Sequence, residues 1–268
     1  MSSTTPPPAN HSWITITLAV FGGLALVGVG GTAAVAASGD LSRTDSVQRV
    51  DVDGVTAIEF DGSASDVRVQ FGDVDEAELT VRGGRGGAWT FERDDDELIV
   101  RSPAVFWGWW LGRWFDDDRT VVLTLPERLE GIDASFILSA GGLDVDGAFG
   151  ELDIEVSAGE LTVEGSSSEL DVDLSAGGAD LLLDGVSEAE LSVSAGDLTV
   201  ELTGTAPRAI AIDVSAGGAD VTLPDAEYAI VQDVSAGTFD NRMGNAAGSD
   251  RIIDVTLSAG TVTLRSGR

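Results

Sequence analysis

The chain contains neither cysteine nor lysine, and its single histidine is His11. Without cysteine, neither a disulfide framework nor a thiolate metal site is possible. His11 precedes the region that we predict to fold, so the sequence also argues against Ser-His-Asp and Cys-His catalysis and against a histidine-ligated metal. We therefore predict no catalytic residues, no cofactor and no metal centre.

Positive charge is scarce as well. The 268 residues include 46 acids and 15 arginines, for a formal net charge of −31. Nucleic-acid affinity depends on neutralising phosphates, so this balance argues against a nucleic-acid partner. The simplest interpretation is a self-repelling, solvated surface. Weak binding of divalent cations and adaptation to salt are the alternatives.

The first 46 residues differ from the rest. Residues 1–12 are polar and contain Pro6–Pro8, which predicts a disordered tail. Residues 13–37 carry no charge and are long enough to cross a bilayer core of about 30 Å as a helix. A signal peptide cleaved near Ala34–Ala36 is the alternative. Residues 38–46 form a predicted linker. An N-terminal anchor favours an extracytoplasmic domain, although flanking charge encodes orientation poorly.

The rest of the chain is organised around the tripeptide Ser-Ala-Gly, which occurs seven times. Successive copies begin 18, 18, 19, 21, 20 and 23 residues apart. Such self-similarity is typical of a solenoid, in which each unit buries its apolar face against its neighbour. The copies begin at Ser139, Ser157, Ser175, Ser194, Ser215, Ser235 and Ser258.

Within each unit, apolar residues alternate with polar ones and the phase changes at the glycine. Leu152, Ile154 and Val156 fall on even numbers, whereas Leu161 and Val163 fall on odd numbers. Alternation predicts strands with one buried face, and a phase change at glycine predicts a corner. We predict an all-β, single-domain β-solenoid of about 20 residues per coil. Its structural corner glycines are Gly141, Gly159, Gly177, Gly196, Gly217, Gly237 and Gly260.

The predicted solenoid domain covers residues 47–268 and has two parts. Residues 129–268 contain the regular Ser-Ala-Gly coils, and residues 47–128 form a divergent first part. In that first part, strand patterns alternate with glycine-containing turns. Asp61–Val69 is a degenerate copy of the Ser-Ala-Gly unit, so we expect the first part to have the same architecture and to cap it.

Acidic residues follow the repeat. The positions three and five residues after each serine form two columns in the stacked coils. Each of the first six coils has one acid in this pair of columns, and we interpret the acids as alternating between the two. Alternation keeps like charges apart on a solvated face, since stacked strands lie about 4.8 Å apart. The columns are Gly142, Glu160, Gly178, Asp197, Gly218, Thr238 and Thr261, and Asp144, Thr162, Asp180, Thr199, Asp220, Asp240 and Thr263.

Together, these features resemble a known family, the putative adhesin family of bacterial envelope proteins with β-strand repeats, whose function is unknown. The resemblance rests on Val55–Val69, on the strand-then-proline segment Val121–Pro126 and on the Ser-Ala-Gly coils. It covers about residues 47–268, behind a membrane segment. The resemblance implies a β-helix-like fold outside the cytoplasmic membrane, and it assigns no catalytic residue.

The most unusual segment is the tryptophan-rich loop 104–118, which holds four of the six tryptophans. It lies between two predicted strands, and we expect it to be the loop of a hairpin. Clustered tryptophans suit a membrane interface or a protein partner, and stacking on a sugar is a weaker alternative. They can also simply cover the side or end of the solenoid. The candidate contact residues are Phe106, Trp107, Trp109, Trp110, Trp114 and Phe115.

A column of acids two residues before the serines, Glu155, Asp173, Asp213 and Asp233, resembles the carboxylates of glycan-cleaving β-helices. No basic residue stands among them to orient a substrate, and they alternate with apolar positions like any solvated strand face. We therefore predict a non-enzymatic, membrane-anchored, extracytoplasmic binding or scaffolding module. A self-assembling structural solenoid of the bactofilin type, pairing at Thr261–Leu264, is the alternative. A polysaccharide-active β-helix enzyme is a weaker one.

Overall fold

The computed structural model describes residues 46–82, 89–103 and 120–267. Within these ranges the protein is all-β, apart from one 3-10 turn at Glu127–Leu129, and its strands join one continuous sheet. No helix of the described chain has the length and apolar character that crossing a membrane requires. The predicted transmembrane segment, residues 13–37, lies outside the described residues.

The sheet folds into two faces with the core between them. In spatial order, the front face consists of β4 (Thr90–Asp94), β5 (Glu97–Arg101), the first part of β2 (Ala57–Gly72), the first part of β7 (Asp133–Ala148), β8 (Glu151–Val156), β10 (Glu169–Leu174), β12 (Glu188–Val193), β14 (Ala209–Val214), β18 (Ile252–Leu257) and β16 (Ala229–Val234).

The back face follows the same progression. It consists of β1 (Ser46–Val50), β3 (Ala77–Arg82), β6 (Thr120–Pro126), the second parts of β2 and β7, β9 (Glu160–Ser166), β11 (Gly178–Asp184), β13 (Asp197–Thr203), β15 (Gly218–Leu223), β19 (Thr261–Ser266) and β17 (Thr238–Asn241). The pairs β1–β3, β3–β6 and β4–β5 are antiparallel, and the other described pairs are parallel.

Each front strand, its corner and the following back strand form one coil, and equivalent residues of successive coils pair in register. Leu152 pairs with Leu170 on the front face, and Leu161 pairs with Ala179 on the back face. The degenerate copy in β2 bends at the same place, since Ser63 pairs with Ala140. The prediction of a repetitive all-β fold is therefore confirmed.

The corners stack glycine on glycine. All seven glycines of the Ser-Ala-Gly corners have φ between 99° and 130°, a region that favours glycine. A Cβ atom on Gly177 would overlap the backbone carbonyl oxygen of Gly159 in the neighbouring coil. Two requirements therefore exclude a side chain at this position, namely the positive φ and the close approach of the next backbone.

Inward side chains of the two faces meet in one continuous core. Its first part is aromatic, with ring centroids 6.1 Å apart for Phe60–Trp89 and Phe60–Phe136 and 5.7 Å apart for Phe136–Phe149. Later coils fill the same space with aliphatic residues such as Leu191 and Val200, which are fully buried. These side chains supply most of the stabilisation, at about 25 cal/mol for each Å² of apolar surface buried.

The order of the last two coils differs from their order in the sequence. The final strands, β18 and β19, lie between the coil β14–β15 and the coil β16–β17. The backbone N–H of Ser258 accordingly donates to Val214, and that of Ser235 donates to Leu257. The prediction that Thr261–Leu264 is an unprotected edge is wrong, because β19 is paired on both sides.

This insertion also corrects the predicted charge pattern. In sequence order the alternation fails at the sixth coil, because Asp240 falls in the same column as Asp220. In space Thr263 pairs with both residues and lies between them. Alternation of charge on the back face is thus a property of the spatial order of the coils, and only partly of the sequence order.

We predict that Gly177→Ala destabilises the protein by about 3 kcal/mol, from backbone strain together with the overlap on Gly159. Gly185→Ala is the matched control. Gly185 also has a positive φ, +81°, but the nearest atom to an added Cβ would be 3.9 Å away. Urea unfolding of both variants measures the difference, and equal losses of stability would contradict the role of glycine stacking.

Candidate functional site

The tryptophan-rich segment leaves and rejoins the described chain at one corner of the stack. β5 and β6 both pair in parallel with β2, β5 on the front face and β6 on the back face. The predicted hairpin is therefore wrong, because the two strands do not pair with each other. Residues 102–119 connect the two faces where a regular coil has Ser-Ala-Gly. The candidate contact residues Phe106, Trp107, Trp109, Trp110, Trp114 and Phe115 lie outside the described residues.

The start of this connection is fixed by hydrogen bonds to the adjacent coil. The N–H of Ser102 donates to the carbonyl oxygen of Asp61 over 2.8 Å, and the N–H of Ser63 donates to Ser102 Oγ over 3.0 Å. The hydroxyl oxygens of Ser63 and Ser102 are 2.8 Å apart. The chain therefore leaves β5 in a defined direction, from the corner.

An ion pair on the front face lies beside the start of this connection. Arg101 donates to Glu59 Oε1 from Nη2 over 2.6 Å and from Nε over 3.2 Å. This hydrogen bond raises the pKa of Arg101 above its ordinary value. Partial burial, followed by the charge of Glu59, raises the pKa of Glu97. The pair lies in the sheet directly before the tryptophan-rich connection.

Farther along the front face, carboxylates lie directly opposite one another. In one column Asp171 pairs in register with Asp153 on one side and with Glu190 on the other. In a second column Glu169 pairs with Glu151 and Glu188. The predicted column of Glu155 and Asp173 runs beside them, with Ser192 as the next member. Sequence reasoning missed the first two columns, although the register of the repeats contains them.

The most perturbed of these carboxylates is Asp171, at the centre of the acidic columns. Partial burial raises the pKa of Asp171 to about 6, helped by the charges of Glu190 and Asp153. Burial raises the pKa values of Asp153 and Glu151 in the same direction. On this face Arg208 donates to Glu188 over 3.1 Å, at the far side of the columns from Glu151. The front face therefore holds a negative charge that its neighbours neutralise only in part.

The back face has a shallow depression of about 260 Å³ beside the second parts of β2 and β7. Its lining includes Arg68, Gln70, Asp146 and Glu164. Arg68 donates to Asp144 over 3.1 Å, and both side chains are more than half exposed. An exposed pair of this kind contributes little stability. The depression offers hydrogen-bonding groups to a polar ligand, but no buried one.

No group of three or more histidine, cysteine, aspartate or glutamate side chains within the described ranges is arranged to hold a metal ion. The acidic columns are therefore a row of separate carboxylates on a strand surface. Their chemistry is electrostatic, since neighbouring carboxylates of one column lie about one strand spacing, 4.8 Å, apart.

Comparison with known proteins gives no family, and it finds similar folds among solved structures. No protein-family model and no curated protein matches the chain. Among solved structures, the chain is similar to a putative adhesin from Bacteroides fragilis NCTC 9343, with 13% identity, a TM-score of 0.49, and coverage of 84% of this chain and 98% of that one.

Two further structures have lower TM-scores. A putative cell adhesion protein from Clostridium sporogenes ATCC 15579 is 12% identical, with a TM-score of 0.40 and coverage of 84% of this chain and 100% of that one. A putative lipid binding protein from Parabacteroides distasonis ATCC 8503 is 14% identical, with a TM-score of 0.32 and coverage of 86% and 98%. At these TM-scores the similar structures support no statement about function. Membership of the adhesin family stays a prediction.

We predict that Asp171→Asn stabilises the protein at pH 7 by about 1 kcal/mol, after allowance for screening at a half-buried position. The pKa of Asp171 is raised to about 6 in the folded state, against about 4 when unfolded. The contribution of Asp171 to the free energy of unfolding is therefore fully present below about pH 4. It is lost as the pH rises through about 6.

The variant should accordingly be more stable than the parent at pH 7 and equal to it near pH 4. Thermal unfolding between these pH values measures the difference. Asp173→Asn, on the same strand but exposed, is the matched control and should show a smaller gain. A gain for Asp171→Asn that does not change with pH would show that the charge of Asp171 is not the cause.

Proposed function

We propose that this protein is a non-enzymatic binding or scaffolding module of the cell envelope. In this proposal its repeat fold is a β-solenoid, anchored in the cytoplasmic membrane by residues 13–37 and located outside that membrane. The tryptophan-rich loop 104–118, which we call the tryptophan-rich corner because it joins the two faces between β5 and β6, binds a membrane protein beside the anchor. The observation that carries the proposal is the position of the strands that flank this corner.

The flanks of the corner and the start of the described chain share one end of the stack. β1, which begins at Ser46, is the outermost strand of the back face, followed by β3 and then by β6. β6 begins at Thr120, where the tryptophan-rich connection ends. Only two strand spacings separate β1 from β6, which corresponds to about 10 Å.

The linker is short enough to keep this end close to a membrane. The eight residues 38–45 span at most about 29 Å when fully extended. If residues 13–37 cross the bilayer, the corner lies near its surface, where tryptophan is favoured. Asp116–Asp118 follow the aromatic residues and would be repelled by anionic lipid headgroups. That repulsion favours a protein partner over the lipid itself.

From β1 the stack of strands extends in one direction. Eleven strands follow one another along the back face from β1 to β17, which corresponds to about 48 Å at 4.8 Å per strand. The acidic columns and the coil β16–β17 lie farther from β1 along the stack than the strands that flank the tryptophan-rich connection. A rigid spacer with binding groups at different heights suits a scaffolding role.

The test is a crosslinking co-purification from native membranes with the full-length chain. We expect one specific membrane protein to be recovered with the parent and to be lost when Trp107, Trp109, Trp110 and Trp114 are replaced by Ser. Leu182→Ser is the matched control, because it removes an apolar side chain that is 42% exposed on the back face, away from the corner. Circular dichroism verifies that each variant is folded.

Two results would contradict the proposal. Recovery of the same proteins with the parent and the folded quadruple variant would show that the tryptophans bind no partner. Unfolding of the variant would show that the tryptophans belong to the core. Protease treatment of intact spheroplasts tests the location separately, since an extracytoplasmic domain is digested without lysis.

A further inference from the structure

We propose that the coil β16–β17 binds an extended, positively charged segment of another protein by accepting it as an additional strand. This site lies at the opposite end of the stack from the tryptophan-rich corner. Nothing in the function proposed above depends on it, and its occupant is a different partner.

The outer backbone edge of this coil is free beyond Ile230 among the described residues. β16 pairs only with β18, and β17 only with β19, among the described strands. The N–H of Ala229 donates towards β18, to Arg251, whereas the N–H of Ile230 donates to Asn245 Oδ1 on the other side. Because successive residues of a strand point their backbone groups in opposite directions, those of Gln232 and Val234 also point away from β18.

The side chain of Asn245 shows what this edge can bind. Its Oδ1 accepts from the N–H of Ile230 over 3.1 Å, and its Nδ2 donates to the carbonyl oxygen of Ile230 over 2.9 Å. One amide side chain thus makes the pair of hydrogen bonds that a neighbouring strand would make. The edge beyond Ile230 continues in the same geometry without such a partner among the described residues, which leaves it open to a real strand.

The core is partly uncovered at the same place, since Val234 is exposed although Ile230 is buried. Ile230, Gln232 and Val234 pair in register with three residues of β18 that are 0% exposed, Ile253, Val255 and Leu257. Val234 is 38% exposed, although its equivalent one strand away is fully buried. Gln232 is the polar exception in this inward row, and it is exposed. An added strand would cover Val234 and extend the core by one layer.

The outer surface beside this edge combines exposed apolar side chains with the acids Asp233 and Asp254. Val231 is 56% exposed and Ile252 is 49% exposed. Ala229 pairs with Ile252, and Ala209 pairs with it from the other side. A segment bound at the edge would therefore contact the apolar side chain of Val231 and, next to it, the carboxylates of Asp233 and Asp254, which attract a basic residue.

The other end of the stack, at β1 and β4, has a different structure. There the antiparallel strands β1, β3 and β4 close the two faces, and Trp89 and Phe91 are buried in the core beside them. Of the two ends, the coil β16–β17 is the one at which core residues remain uncovered in the described chain.

Charge complementarity defines the occupant. Between residues 224 and 251 the chain has five acids and two arginines, and the whole chain has a net charge of −31. A second copy would add an equal negative charge, whereas a basic segment would be attracted. Strand addition requires apolar residues at every second position facing the core. The occupant is therefore an extended segment that alternates apolar residues with arginine or lysine.

The experiment uses the chain's own coil as the probe. A synthetic peptide copies residues 209–222 with Asp213→Arg and Asp220→Arg, so that it keeps the apolar alternation and gains positive charge. Its binding to the full-length protein in detergent is measured by fluorescence anisotropy. We expect saturable binding that weakens as salt is added, and no binding of a scrambled peptide of the same composition.

Two variants of the protein locate the site. Val234→Pro removes an N–H that points off the edge, and free edges tolerate proline. Gln232→Lys places a positive charge at the end of the sheet, which opposes both pairing and a basic peptide. Each should weaken binding by about tenfold or more. Leu182→Lys, the same added charge in the middle of the back face, should leave binding unchanged. If Val234→Pro does not fold, Gln232→Lys decides.

Three results would overturn the proposal. The first is that the peptide does not bind at millimolar concentration. The second is that it binds equally well to the parent and to the folded edge variants. The third is that sedimentation shows a dimer of the protein that is lost in Gln232→Lys, because the occupant of this end would then be a second copy.

Discussion

The contact on which the fold depends is the stacking of one corner glycine on the next. At Gly177 a positive φ and the adjacent carbonyl oxygen of Gly159 together leave no space for a side chain. Because each corner is held directly above the one before it, the strands on both sides must pair in parallel and in register. Inward residues then meet inward residues in every coil, and one continuous apolar core results.

The same register decides where charge accumulates. In the two back-face columns that follow each serine, acids and neutral residues alternate in space, so that Thr263 separates Asp220 from Asp240. Farther along the same strands, Asp146 and Glu164 lie opposite each other. On the front face, Asp153, Asp171 and Glu190 lie opposite one another, and the pKa of the central carboxyl is raised to about 6. The same stacking therefore separates the charges in some columns and retains like-charge repulsion in others. Stability is lost at Asp171 near neutral pH, first because its carboxylate is partly buried and then because acids lie on both sides of it.

Periodic features were predictable from the sequence, and features of the coil order were not. Alternating apolar residues and the glycine phase change predicted the strands and corners, because each coil obeys the same local rules. The predicted hairpin around the tryptophans was wrong, since local patterns do not show which strands pair. The exchange of the last two coils also escaped prediction, because a spacing of 23 residues resembles a longer loop. The repeated acid at Asp220 and Asp240 was the one available signal, as adjacent like charges are disfavoured.

The position of the final coil is the most direct test of this account, because it determines which coil ends the stack. The chain has no cysteine, so introduced pairs report without background. Ser215→Cys combined with Ser258→Cys joins corners that are one strand apart, about 4.8 Å, within disulfide range. Ser215→Cys combined with Ser235→Cys joins corners two strands apart, about 10 Å, beyond that range. The account predicts rapid oxidation of the first pair and none of the second, and the reverse result would contradict it.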